Sequence, residues 1–205
     1  YTESVCTPEY VLIGDRKQHT ESICSKLRYP LFVKPHKAGD SLGVDHSSLV
    51  RSNDELVQKV NAIIDEYAPL LIEEYVEGRE FTVMLAANSG KEPTVFHPVE
   101  YIFPEGFQYK TYSLKTSELH PGANIPVAEE GICVRLQDAA KKIFKAFQGV
   151  GYVRLDFRMN DKGELFFLEI NFTCSVFYKD GYEGSADYIL KYDGYGQANF
   201  LKHII

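Results

Sequence analysis

Between Tyr152 and Asn171 two strand patterns flank one turn, and this stretch constrains the fold more than any other. The first run, YVRLDFRM, alternates: Val153, Leu155, Phe157 and Met159 point one way, Arg154 and Asp156 the other. Asn160-Asp161-Lys162-Gly163 is good turn chemistry, with Gly163 available for a positive φ. The second run is ELFFLEIN. Pairing Asn160 with Gly163 sets Arg154 opposite Glu169 and Asp156 opposite Phe167. Facing residues share a sheet face, so Arg154, Asp156, Glu169 and Asn171 converge on one side. Two carboxylates, an amide oxygen and a guanidinium on one face are costly if buried without partners. Three hard oxygen donors suit Mg²⁺, which keeps waters and phosphates as its other ligands. The hairpin alone equally fits a surface ribbon in which Arg154 and Glu169 pair across the strands.

The 205 residues suffice for one good core or two small ones. The net charge is −7, and no basic cluster is longer than Lys141-Lys142. That argues against nucleic-acid and membrane-surface partners, although one local pocket of Lys and Arg would suffice for a polyphosphate. Cys6, Cys24, Cys133 and Cys174 are widely spaced and form no CxxC, so a reduced cytoplasmic chain without a zinc site is expected. No apolar run approaches the roughly 20 residues of a membrane span. No signal peptide is visible, and the chain begins at Tyr1 rather than Met, as a domain cut from a larger host protein would.

Read in order, YVLIG (10–14), LFVKP (31–35) and VDHSSLV (44–50) are strands, and Thr20 to Leu27 is a short helix ended by Arg28-Tyr29-Pro30. Ser52-Asn53-Asp54-Glu55 is a capping box opening a helix to about Tyr67, with Leu56, Val60, Ile63, Ile64 and Tyr67 as its apolar stripe. LLIEEY (70–75), REFTVMLAA (79–87) and TVFHPVEYIF (94–103) are strands. The span 104–128 has no clean period and reads as a functional loop. Glu129 to Phe147 is the longest helix, burying Ile132, Leu136, Ile143, Phe144 and Phe147 and ended by Gly149 and Gly151. Short helices near 186–191 and from Gln197 close the chain, and no internal repeat is present. The expected class is α+β, with a small subdomain over 1–78 and a larger antiparallel sheet carrying the long helix over 79–205.

Three further features carry chemistry. Lys34 ends an apolar strand and is followed by HKAGDSLG (36–43), where amides beside Gly39 and Gly43 can approach phosphate oxygens. This is not a Walker A loop, and a strand-end lysine also fits a solvated edge charge. Glu73 and Glu74 end a strand and Glu80 follows a turn; Glu73 could accept from an exocyclic amine and Glu80 from ribose hydroxyls, or the run is a solvated turn. Lys115 closes Tyr112-Ser113-Leu114-Lys115, with Lys110 as its near competitor.

In this order and spacing the features resemble the ATP-grasp superfamily, and within it the chain is most similar to the D-alanine–D-alanine ligases, from about Pro8 to about Leu190. LFVKPHKAGDSLGV, LIEEYVEGREFTV, GYVRLDF and FFLEIN carry the resemblance. It implies two α+β lobes with ATP between them and one or two Mg²⁺, with Mn²⁺ as an alternative. It implies that Lys34 and Lys115 contact phosphates, Lys115 being chosen over Lys110 for the family's Tyr-x-x-Lys spacing. The loop with Gly39, Ser41 and Gly43 would cover those phosphates, and Glu73 would take the adenine amine beside Glu74. The backbone of Tyr75 and Val76 would meet the ring edge, Glu80 the ribose, and Leu168 the nucleotide as well. Asp156, Glu169 and Asn171 would hold the metal. Arg154 would stabilise an acyl phosphate and then a tetrahedral intermediate, with Lys115, Ser41 and Ser185 completing the catalytic set. The implied reaction joins a small carboxylate to an amine, such as two amino acids, at the expense of ATP.

Three departures from the family pattern bear on the substrate, and a fourth is an absence. The family's Gly-Ser-Ser loop reads Gly39-Asp40-Ser41, and Thr116 follows Lys115 where the family has an aromatic. The Asn-x-x-Pro-Gly loop reads Asn171-Phe172-Thr173-Cys174-Ser175. The family's N-terminal domain, with a further phosphate lysine, is expected to lie outside this chain. The three altered positions spare the nucleotide residues of this chain and change the amino-acid ones, so a ligase whose product is not D-Ala-D-Ala is expected. By the same resemblance Gly184-Ser185 would bind the carboxylate of the incoming amine, as the family's serine in this region does. Other readings are a non-catalytic ATP-grasp regulatory domain and an ATP-grasp enzyme of another branch.

Overall fold

The computed structural model describes residues 5–16, 24–39, 41–88, 90–112 and 122–204. The chain forms two compact units, one of Pro8–Val76 with Glu105–His120, the other of Tyr1–Thr7, Glu77–Pro104 and Pro121–Ile205. Against the division expected at residue 78, the boundary falls after Val76 and two further segments change sides. Residues 105–112 join the smaller unit, where the Tyr109 hydroxyl donates to the Asp45 carbonyl at 3.0 Å and the Tyr75 hydroxyl to the Gln108 carbonyl at 2.7 Å. The start of the chain joins the larger unit, where the Phe167 amide donates to the Cys6 carbonyl at 2.8 Å.

The smaller unit is an antiparallel sheet of β1 (Tyr10–Ile13), β2 (Leu31–Pro35), β3 (Leu49–Val50) and β4 (Leu70–Glu74), in the order β1-β4-β2-β3. Helix α1 (Asn53–Tyr67) packs Leu56, Val60 and Ile64 against Leu31, Val33 and Ile72. Strand alternation then turns Phe32, Lys34 and Glu73 to the other face. Ser52 caps α1, its hydroxyl accepting from the Glu55 amide at 3.3 Å, but the Glu55 carboxylate reaches back to the Arg51 amide, one residue before the expected reciprocal partner. VDHSSLV is a strand only at its last two residues, because Asp45 accepts from the Ser47 amide and its own amide donates to Ser48, making a turn. Residues 20–23 of the expected helix over 20–27 lie outside the described residues; of the rest, Cys24 is helical and a turn follows in which the Leu27 amide donates to the Cys24 carbonyl at 2.9 Å.

The larger unit is a six-stranded antiparallel sheet of β5 (Arg79–Ala87), β6 (Thr94–Val95), β7 (Val99–Tyr101), β8 (Asn124–Pro126), β9 (Gly151–Met159) and β10 (Leu165–Asn171). Its order is β10-β9-β5-β7-β8, with β6 also on β5. The predicted strand over 94–103 is therefore two short ones, and the presumed loop of 104–128 contains β8. Helix α2 (Glu130–Ala146) covers one face, over Phe81, Val83, Leu155 and Phe157. Phe147, expected in that core, lies past the helix end, 56% exposed and edge-on to Phe172. The opposite face is divided. Helices α3 (Ser185–Tyr192) and α4 (Gln197–Ile204) cover Met84, Ala86 and Phe96. Beyond them the same face carries Glu80, Thr82, Arg154, Asp156 and Arg158.

The hairpin corrects the predicted register. The Asn160 amide donates to the Glu164 carbonyl at 3.1 Å and its own carbonyl accepts from the Gly163 amide at 3.0 Å, so the strands pair through Asn160 and Glu164, and Gly163 at φ +74 closes a three-residue connection. Phe167 accordingly faces Phe157, and a one-residue shift between Phe167 and Glu169 then sets Glu169 opposite Asp156 and Asn171 opposite Arg154. No helix among the described residues is long and apolar enough to cross a membrane.

Candidate functional site

On the divided face of the larger sheet, neighbouring strands place polar partners side by side. Thr82 of β5 faces Asp156 of β9, and its hydroxyl donates to Asp156 Oδ1 at 2.8 Å. Arg154 Nη2 donates to Asp156 Oδ2 at 3.0 Å and lies 3.6 Å from Glu169 Oε1. The Asp156 carboxylate, with Glu169 behind it, raises the Arg154 guanidinium above its ordinary value against the opposing effect of burial. Arg154 Nε is buried without a hydrogen-bond partner among the described residues. Asn171 Oδ1 accepts from the Thr173 amide at 3.0 Å, which fixes the turn leaving β10. Cys174 lies beside this group, and burial pushes its thiol up to about 11.

This donor set fits a hard divalent cation. Among the described residues no three His, Cys, Asp or Glu side chains group as a metal site. The set here is instead two facing carboxylates and one amide on a shared face, a complement suited to Mg²⁺ with phosphate oxygens completing its shell. The unfilled Arg154 N–H points to the same chemistry, because a buried guanidinium donor is satisfied best by a phosphate or carboxylate oxygen.

Glu80, expected at the ribose, lies one pair along the same strands, opposite Arg158. Arg158 Nη2 reaches Glu80 Oε2 at 3.1 Å, with both side chains almost fully buried. The sequence reading missed Arg158 and Thr82. The signal for Arg158 was present, since it continues the alternation of Arg154 and Asp156; Thr82 needed the β5–β9 pairing. Leu168 sits at the register shift, half-buried.

In the smaller unit Lys34 Nζ bonds Glu73 Oε1 at 2.6 Å, and both are largely buried. The two residues expected at phosphate and adenine are therefore each other's partner here. Glu74 points to the opposite face of β4, where the Arg28 guanidinium grips both its oxygens, Oε2 from Nη2 at 2.8 Å and Oε1 from Nε at 3.1 Å, and holds its carboxyl below the usual value. It is not brought beside Glu73. The Tyr75 amide donates to the Pro30 carbonyl at 2.9 Å, so that N–H is engaged, and its ring stacks on Phe32. Val76 ends the first segment of this unit.

The 36–43 loop is anchored at its far end. Gly43 has φ +75, and a Cβ there would stand 2.7 Å from Pro35 Cγ, so glycine is required. Ser41 takes a left-handed φ of 57 with its carbonyl accepting from Val44, while Gly39 has open space around it. Lys59, which sequence reading missed, is buried behind the loop and donates to the Gly43 carbonyl at 3.2 Å and to Asp45 Oδ1 at 2.9 Å. Asp40, Lys115 and Thr116 lie outside the described residues. Ser185 opens α3, where Asp187 accepts from the Gly184 amide at 3.0 Å and also from the Phe177 amide. A cavity of about 240 Å³ in the smaller unit is lined by His46, Arg51, Phe107 and Tyr109 among others, and none of the expected nucleotide residues borders it.

The family described as D-Ala-D-Ala ligase C-terminus matches residues 5–177. The chain is 32% identical over 165 residues to the D-alanine–D-alanine ligase of Christiangramia forsetii, covering 79% of this chain and 48% of that protein. The Enterococcus faecalis D-alanine–D-alanine ligase is 31% identical over 160 residues, 77% of this chain and 44% of the relative. The chain thus spans about half the length of these curated relatives. Among solved structures, the Bacillus anthracis D-alanine–D-alanine ligase complexed with ATP superposes with a TM-score of 0.68 at 18% identity, over 98% of this chain and 58% of that one. The VanG D-Ala:D-Ser ligase from Enterococcus faecalis gives 0.73 at 22% identity, over 98% and 56%. These likenesses carry the ATP-grasp fold.

Proposed function

The chain belongs to the D-Ala-D-Ala ligase C-terminal family, and on that premise we propose that it carries the nucleotide-binding and catalytic residues of an ATP- and Mg²⁺-dependent carboxylate–amine ligase. The observation that carries the reading is the gathering of Arg154, Asp156, Glu169 and Asn171 on one sheet face, with a buried Arg154 N–H left to fill. Asp156, Glu169 and Asn171 would hold Mg²⁺, which neutralises phosphate charge when bound. Lys34 takes a phosphate oxygen and Glu73 the adenine amine, exchanging their mutual contact for the ligand's opposite ends. Glu80 accepts from the ribose, and Lys115 joins Lys34 at the phosphates.

The reaction has two steps. A substrate carboxylate attacks the γ-phosphorus, the bond to ADP breaks, and an acyl phosphate forms. An amine then attacks the activated carbonyl, phosphate leaves, and the nitrogen loses a proton to give an amide. Arg154 would stabilise the acyl phosphate and the oxyanion that follows. The 36–43 loop excludes water that would hydrolyse the intermediate. Ser41 contributes at the phosphates, and Gly184-Ser185 takes the carboxylate of the attacking amine.

The product proposed is not D-Ala-D-Ala, because Asp40, Thr116 and Ser175 replace residues of the amino-acid sites while the nucleotide residues are kept. A neighbour in fold is named as a D-Ala:D-Ser ligase, so variation at the second substrate has a precedent in this architecture. Calorimetric titration with ADP and ATP, with and without Mg²⁺, beside Glu169→Gln tests the nucleotide reading. Mg²⁺-dependent binding lost in the variant is expected, and absence of binding to the folded chain overturns it. A panel of amino acids offered with ATP tests the product, and robust D-Ala-D-Ala synthesis overturns that part.

A further inference from the structure

Arg158 is 3% exposed, among the most deeply buried charged residues described. It faces Glu80 directly across β9 and β5, and its Nε and Nη2 both donate to Glu80 Oε2, at 3.2 and 3.1 Å. The Phe103 ring lies 5.6 Å from the guanidinium carbon, within cation–π range. A strand pair needs none of this for stability, since two apolar side chains at facing positions serve a sheet at least as well as a buried ion pair. The pair also stands on the sheet face that carries Thr82, Asp156 and Arg154, one cross-strand row away from Thr82 and Asp156.

We propose that Arg158 is a positioning residue for nucleotide recognition, fixing the Glu80 carboxylate so that it accepts ribose hydroxyls and sets a preference for ribose over deoxyribose. The inference rests on the reading of Glu80 as the ribose acceptor. The two described Arg158 contacts reach one oxygen of a carboxylate, a group with about four acceptor positions. A carboxylate already held by a planar fork loses little freedom when a ligand arrives, whereas a lysine would offer a single point contact and a looser hold.

The test is calorimetric titration of the whole chain with Mg-ADP, Mg-2′-deoxy-ADP and Mg-3′-deoxy-ADP, for the wild type, Arg158→Lys, Arg158→Met and Glu80→Gln. The wild type should bind ADP roughly tenfold tighter than either deoxy form. Arg158→Met should bind all three about equally, as Glu80→Gln does, and Arg158→Lys should fall between. A general loss of fold would lower all three affinities together and leave their ratio unchanged. Full discrimination retained in a folded Arg158→Met chain overturns the proposal; if that variant does not fold, full discrimination in Arg158→Lys does so. Discrimination surviving in Glu80→Gln, or no nucleotide binding to the wild type, overturns the ribose reading and the proposal with it.

Discussion

Glu169 stands directly opposite Asp156 across β9 and β10 because the ladder shifts by one residue at Leu168. Without the shift Leu168 would face Asp156, and Glu169 would turn to the α2 side of the sheet. The two carboxylates share a face but not an environment. The Asp156 side chain is 11% exposed and bonded to Thr82 and Arg154, while that of Glu169 is 51% exposed.

Asp156→Asn and Glu169→Gln should therefore separate folding from metal binding. Asp156→Asn leaves Arg154 without its nearest anion and should cost about 2–4 kcal/mol in urea unfolding without Mg²⁺. Glu169→Gln should cost under about 1 kcal/mol, as an exposed partner does. Both should weaken Mg²⁺-dependent ADP binding by roughly tenfold or more. Equal stability losses would show that burial does not distinguish the two groups.

Arg154→Met removes the guanidinium that lies against both carboxylates. Without Mg²⁺ the variant should lose about 3 kcal/mol, because Asp156 is left buried beside Glu169 without its cation. A divalent cation can take over that neutralisation, so Mg²⁺ should raise the Tm of the variant more than that of the wild type. A smaller rise in the variant, read by calorimetry at matched Mg²⁺, would remove the metal from this face.

The sheet face of the site was legible because alternation depends only on parity. The predicted register was wrong at the turn by one residue, and the Leu168 shift added a second displacement in the same direction, so Arg154, Asp156, Glu169 and Asn171 still share a side. Neither displacement is written in the hydrophobic pattern, since a bulge residue such as Leu168 reads as one more apolar position. Strand β8 is three residues ending in Pro126, too short for any period. Phe147 continued the helical stripe in sequence, but the helix ends one residue before it. Lys59 falls three residues after Leu56 on the buried side of α1, where a lysine in sequence reads as solvated. Only the tertiary position of Asp45 and the Gly43 carbonyl explains it.

That anchor yields an asymmetric prediction. The Lys59 side chain is 1% exposed and that of Asp45 is 62% exposed. Lys59→Met replaces a buried cation by an apolar chain of similar length and leaves Asp45 to water, so it should cost about 1 kcal/mol. Asp45→Ala keeps the buried ammonium with the Gly43 carbonyl as its remaining described partner and should cost about 3 kcal/mol. Chemical denaturation of both variants checks the order, and a larger loss in Lys59→Met would mean that the ammonium is not the strained partner.

The Arg28–Glu74 pair should give the smaller unit a pH-dependent increment of stability. The Arg28 hydrogen bond, outweighing partial burial, holds the Glu74 carboxyl below its ordinary 4.5. With the folded value depressed, the unfolded chain binds the proton more readily, so stability rises with pH across the interval between the two values. The increment is complete above 4.5 and is lost as pH falls through the folded value. Wild type and Glu74→Gln should differ in Tm by a constant amount from about pH 7 down to about pH 5, then converge in stronger acid. Arg28 is exposed, so added salt should shrink the neutral-pH difference. A difference that persists unchanged at about pH 2.5 would mean that Glu74 contributes through packing rather than through its charge.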